Sequence, residues 1–157
     1  LGKITLLKKI LALLVFLGAF GSAAISVQAA QPADYTDSTF TFAFSGFDEN
    51  DNTNARRKGS SSSMYIKNTS SYKFSVEPQA DAHYGKGTDW VRVNNKGLFP
   101  INPGKKYEVY NTAYEDFFDG VQVRFHGHMD LWYKTVKAKV NWSPDYNPES
   151  GTTVVGL

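Results

Sequence analysis

The chain has 157 residues, 17 Lys+Arg against 15 Asp+Glu, and no cysteine. Without cysteine there are no disulfides and no thiolate metal ligands, so packing alone must hold the fold. Lys3, Lys8 and Lys9 take three of the 17 basic residues into the first 29, leaving 14 against 15 acids, a net −1 that gives no ground for a nucleic-acid or anionic-membrane partner.

Residues 1–29 read as a secretory leader: a basic start, the uncharged apolar run Ile10 to Phe20, then small residues. Val27 and Ala29 fit the −3 and −1 positions, which places cleavage after Ala29. The apolar run is too short for a spanning helix, which needs roughly 20 residues. The expected product is released outside the cell, with no membrane association after cleavage. Its 128 residues amount to a single domain, long enough to bury roughly two-thirds of its unfolded surface.

After a flexible polar lead-in over 30–37, the domain is predicted to cover 38–157. It opens on a strand in which Phe40, Phe42 and Phe44 alternate with Thr39, Thr41, Ala43 and Ser45. The segment Phe47 to Ser63 follows, with acids first, then Arg56-Arg57-Lys58, then serines. Such composition buries too little apolar surface to order itself, so a mobile loop is expected over 47–63. Asp48, Asn50 and Asn52 imitate the start of a calcium loop. Thr53 and Gly59 stand where its glycine and its bidentate glutamate belong, which argues for a solvated loop instead. The basic cluster carries no interleaved aromatics, so it lacks the stacking platforms of a nucleic-acid groove.

Further alternation predicts strands around Met64 and Ile66, Tyr72 to Val76, Val91 and Val93, and Tyr107 and Val109. Turns are expected at Asn68-Thr69-Ser70, Asn94 to Gly97, Asn102-Pro103-Gly104 and Asp119-Gly120. Ala113 to Gly120 suits one helical turn at most. Trp90 and Arg92 fall on the opposite phase from Val91 and Val93, and Tyr65 is off-phase in its own strand. Exposed flat rings with polar tips stack on sugars, so these three residues are a candidate ligand-binding surface.

The histidines lie near the end. A single strand over 121–133 would set His126, His128 and Asp130 on one outward face with Trp132, a candidate metal site. The phase then slips, because apolar positions are odd through Phe125 and even from Val136 to Trp142. A hairpin is therefore preferred, with its loop near Gly127–Asp130 joining 121–126 to 131–142, and Gly127 supplying backbone freedom. His83 is the remaining histidine.

Seven short strands with frequent turns predict an all-β, antiparallel two-sheet sandwich of immunoglobulin-like size; a partly closed barrel is the alternative. No Gly-x-Ser-x-Gly, His-Glu-x-x-His or phosphate-cradling glycine loop occurs, so neither enzyme activity nor a cofactor is expected.

The opening Thr39-Phe40-Thr41-Phe42 and the closing Trp142-Ser143-Pro144-Asp145, together with the leader, resemble a group of small uncharacterised secreted proteins of Gram-positive bacteria. Here Tyr146 follows the aspartate and the chain runs on to Leu157, a departure from that pattern. The resemblance implies secretion and brings no activity. On physical grounds Pro144 ends a strand, Trp142 anchors it and Asp145 caps the turn. The function expected is extracellular binding of a cell-envelope polymer or a protein. A bacteriocin-like antagonist is the alternative, and a metal-dependent hydrolase using His126 and His128 stands third.

Overall fold

The computed structural model describes residues 32–83, 86–87, 89–131 and 134–157. The leader, the start of the lead-in, Trp132 and Tyr133 lie outside the described residues. Eleven strands follow in chain order: β1 (Ser38–Ser45), β2 (Asn50–Asn52), β3 (Arg56–Arg57), β4 (Met64–Asn68), β5 (Phe74–Asp81), β6 (Trp90–Arg92), β7 (Phe99–Ile101), β8 (Lys106–Val109), β9 (Gln122–His128), β10 (Thr135–Ser143) and β11 (Thr152–Val155). One short helix, α1 (Ala113–Phe117), stands between β8 and β9.

The strands form the predicted two-sheet, all-β sandwich. The first sheet runs β1-β10-β4-β8-β11, antiparallel except for β11 against β8. The second runs β2-β9-β5-β6, with β3 also pairing β9 and β7 pairing β5. There are more strands than the seven expected. The additional ones are two to four residues long, too short to show a period, and partner pairing defines them.

Alternation explains the core. Phe42 and Phe44 project inward from β1 and their rings stack at 5.5 Å; Phe74 of the second sheet meets Phe42 at 5.3 Å. Lower down, Phe125 of β9 packs edge-on against Trp142 of β10 at 5.7 Å. Each such burial contributes about 1.5–3 kcal/mol, an upper bound if the unfolded chain is already compact.

The phase slip after Phe125 has a different cause from the one expected. β9 belongs to the second sheet and β10 to the first, so the two strands do not pair as a hairpin. Gly127 is not a turn residue. It lies within β9, opposite Val76, and an added Cβ would sit 2.7 Å from Phe42 Cε1 and 3.1 Å from Phe44 Cζ. Gly127 is small so that the phenyl rings can press against the backbone of β9. Backbone freedom matters instead at Gly104, whose φ of 71° completes the turn between β7 and β8.

The polar segment 47–63 is also not a free loop. β2 and β3 lie along β9 as an edge, with Asn50 opposite His128 and Arg56 opposite Val123. Between them Thr53 is buried; its N–H donates to Phe125 O and its Oγ1 accepts from Phe125 N. Its polar groups are satisfied by partners more than seventy residues away, a route that local composition does not reveal.

Candidate functional site

The end of β10 organises one end of the molecule. Asp145 is fully buried and its carboxylate accepts from Gly59 N, Ser60 N and Oγ, Ser62 Oγ and Asp34 N, at 2.6–3.2 Å. Lys58 Nζ, equally buried, lies 3.2 Å from Asp145 Oδ1 and also donates to the carbonyls of Ser62 and Pro144. The expected solvated basic cluster is therefore wrong for Lys58. Burial pushes its ammonium below the usual lysine range, opposed by the charge of Asp145. For Asp145 burial pushes upward, but the bonds from Ser60, Gly59 and Asp34, with the charge of Lys58, together hold it below the ordinary carboxylate range. Arg56 donates to Asp34 Oδ2 at 2.6 Å and to Trp142 O, with its guanidinium 5.2 Å from the Trp142 ring centre. Asp145 thus anchors the strap of residues 58–62 and the lead-in, more than the local turn it was expected to cap.

This anchor sets the next residues over the first sheet. Tyr146 stacks on Tyr65 of β4 at 5.9 Å, 12° from parallel. Its N–H donates to Ser62 Oγ and its hydroxyl accepts from Glu149 N at 2.9 Å. Tyr65 and Tyr146, with Tyr35, Asp37, Ser143 and 147–149, line a cleft of about 260 Å³. Glu149 pairs with Lys106 at 3.0 Å. The two acids of the cleft are pushed apart. Burial, then repulsion from Glu149, raises Asp37 above the usual aspartate range. The Lys106 bond lowers Glu149, and burial raises the Tyr65 phenol. The cleft lining therefore combines a carboxylate held in its ionised form, Glu149, with a carboxyl that keeps its proton more readily, Asp37, and with three tyrosines.

The predicted surface of Trp90, Arg92 and Tyr65 does not assemble. Tyr65 is in the first sheet under Tyr146, whereas Trp90 and Arg92 sit on β6 of the second. Arg124 covers one face of Trp90 at 4.1 Å, and the indole N–H donates to Gly87 O. Arg92 lies over Gly97. Phase within a strand orients a side chain but does not say which sheet the strand joins, so the fold keeps Tyr65 apart from Trp90 and Arg92.

Along β9 the histidines do share a face, paired with asparagines from β2. His126 Nδ1 lies 3.0 Å from Asn52 Oδ1, and His128 Nδ1 lies 3.1 Å from Asn50 Oδ1. The i, i+2 spacing of Asn50 and Asn52 is thus one face of β2, while Asp48 lies before the strand and its Oδ1 accepts from Asn50 N. His128 Nε2 reaches Asp130 Oδ1 at 3.0 Å, and Glu49 joins these two, whereas His126 does not. Glu49, Asp37, Tyr146 and Glu149 were all missed by sequence reasoning. For Tyr146 a signal existed in its position directly after the Trp-Ser-Pro-Asp turn.

No helix among the described residues is long and apolar enough to cross a membrane. Residues 25–146 match a family model described as a protein of unknown function, DUF2712. No curated protein and no solved structure matches the chain.

Proposed function

Since the chain belongs to the DUF2712 family of proteins of unknown function, its role must be read from its own surface, and we propose that it is an extracellular binding module whose tyrosine cleft takes a hydroxyl-rich unit of a cell-envelope glycan. The observation that carries this reading is the convergence of three tyrosines with two carboxyl groups of opposed proton affinity around one hollow. The exposed ring of Tyr35 offers an apolar face to sugar C–H groups, while the stacked Tyr65 and Tyr146 form the floor and the carboxyls bond sugar hydroxyls. At about 260 Å³ the cleft falls below the ~300 Å³ at which drug-sized sites begin, a size for a single ring. The leader-like first 29 residues support an extracellular setting. Residues 147–149, beyond the stretch matched by the family model, complete the wall, so ligand preference can vary where the family pattern ends.

Co-sedimentation with purified cell wall and with neutral polysaccharides tests the reading. Retention is expected and should weaken about 3–10-fold in Tyr35→Ala, which removes a half-exposed ring from the rim. No retention on any glycan, or retention indifferent to Tyr35, would overturn it.

A further inference from the structure

On the opposite sheet a second constellation stands apart from the tyrosine cleft. Glu49 precedes β2, His128 ends β9 and Asp130 follows two residues later. One nitrogen and two carboxylate oxygens from these residues lie within 4.8 Å of one another. Two backbone N–H groups hold Glu49 beside them: Met129 N donates to Glu49 O at 2.9 Å, and Leu131 N donates to the side-chain Glu49 Oε1 at 3.2 Å.

The orientation of His128 gives the constellation its chemistry. Asn50 Oδ1 accepts at Nδ1, which makes Nδ1 the protonated nitrogen and Nε2 the lone-pair nitrogen of the neutral ring. Nε2 then faces Asp130 Oδ1, itself an acceptor, at 3.0 Å. Two acceptors at that separation need a proton or a cation between them. A proton would leave an ordinary exposed ion pair, since the Asp130 side chain is 95% exposed, and such pairs contribute little. The Glu49 carboxylate, tethered to Leu131 N, comes to the same point and supplies a third donor that a proton between two atoms does not use.

We propose that Glu49, His128 and Asp130 form a binding site for one divalent cation of the zinc class, with Asn50 as the outer partner that fixes the ring. An imidazole nitrogen with two carboxylates suits zinc and its neighbours, whereas calcium asks for six to eight oxygens. Around a tetrahedral ion with bonds of about 2.1 Å the donors stand about 3.4 Å apart, so the His128–Asp130 pair, now at 3.0 Å, opens by a few tenths of an ångström on binding, and Glu49, within 4.8 Å of both, adjusts to match. Asp130, on the surface, is free to make that movement. His128 and Asp130 also border a hollow of about 210 Å³ with Lys73, Phe74, Ser75 and Met129, which gives a fourth ligand access to the ion. His126 is outside the set: the donor atoms that gather within 4.8 Å are those of Glu49, His128 and Asp130.

Calorimetric titration of the chelator-treated full chain with zinc chloride tests the site. One equivalent is expected to bind, calcium chloride is expected to give no heat, and Asn50→Ala should weaken zinc about 10–100-fold. His128→Gln should abolish uptake, and Asp130→Asn, a surface change that leaves the core intact, should weaken it at least tenfold. His126→Gln should bind as the wild type does. No zinc uptake, uptake unchanged in Asp130→Asn, or a loss in His126→Gln as large as in His128→Gln would overturn the proposal.

Discussion

Lys58 Nζ lies 3.2 Å from Asp145 Oδ1 with neither side chain exposed to solvent, and together they join the strap that follows β3 to the end of β10. The pair need not be more stabilising than apolar packing of equal volume, because both charges have been desolvated. Removing one partner alone is a different matter, since it strands the other. Lys58→Met and Asp145→Asn should each cost about 3–5 kcal/mol. The double variant Lys58→Met/Asp145→Asn should cost less than the two single losses added. Urea denaturation of the four proteins measures the coupling, and additive losses would show that the residues act separately.

Gly127 exists for close approach, and a single methyl tests this. With Phe42 Cε1 only 2.7 Å from the added Cβ, Gly127→Ala should lose about 1–3 kcal/mol through overpacking. Phe42→Leu introduced alongside should recover part of that loss, because the smaller side chain vacates the contact. A full additive penalty in the double variant, read from chemical denaturation, would refute the packing explanation.

Phe118 follows α1 with φ 66° and ψ −179°, a region that glycine occupies freely and bulky residues avoid. Its side chain is largely exposed, so little packing opposes a change. Phe118→Gly should therefore raise stability by about 1 kcal/mol, as relief of strain exceeds the added entropy of the unfolded chain. A lowered melting temperature in that variant would mean that the ring contributes more packing than its exposure indicates.

Alternation made β1, β9 and β10 legible, because each buries one face and wets the other, and Phe42, Phe125 and Trp142 all occupy the core as their phase demands. What could not be read depends on partners remote in sequence. The serines after Lys58 look like linker until Asp145 is set against them, some 85 residues later. Tyr65 looks exposed until Tyr146 covers it. Glu49 looks like one more acid in a polar run until β2 pairs with β9 and delivers it to His128. The histidine pair was visible, but the preferred hairpin set it in a loop rather than on one face of β9, and its partners belonged to the segment that composition marked as unstructured.

His126 gives a pH dependence with a definite sign. Burial pushes it below histidine's ordinary value, the charges of Arg124 and His128 add to this, and Glu77 opposes. The unfolded chain then binds more protons than the folded one across that interval, so stability rises with pH there. The contribution is fully present above about pH 6.5, the unfolded value, and is lost as pH falls through the folded one. Melting temperature should decline as pH drops below about 6.5, and His126→Gln should flatten that decline. Asp145, also depressed, acts in the same direction but only in more acidic solution, below its unperturbed value of 3.8. An identical pH profile for wild type and His126→Gln would contradict this assignment.

The charge of the tyrosine cleft sets which envelope polymers it admits. Glu149 is held ionised by Lys106, and Asp37 feels its repulsion, so an anionic ligand entering between them meets like charge in a partly desolvated setting. Neutral glycans should therefore be retained in preference to phosphate-rich wall polymers. Glu149→Gln should narrow that preference about 3–10-fold without unfolding the protein, because its side chain is exposed. The narrowing should shrink as salt is raised from about 0.05 to 0.5 M, where screening falls to a few ångströms. Retention of the two polymer classes, compared side by side in wild type and variant at both salt concentrations, decides the matter. A preference that neither the substitution nor the salt alters would place the discrimination elsewhere than at Glu149.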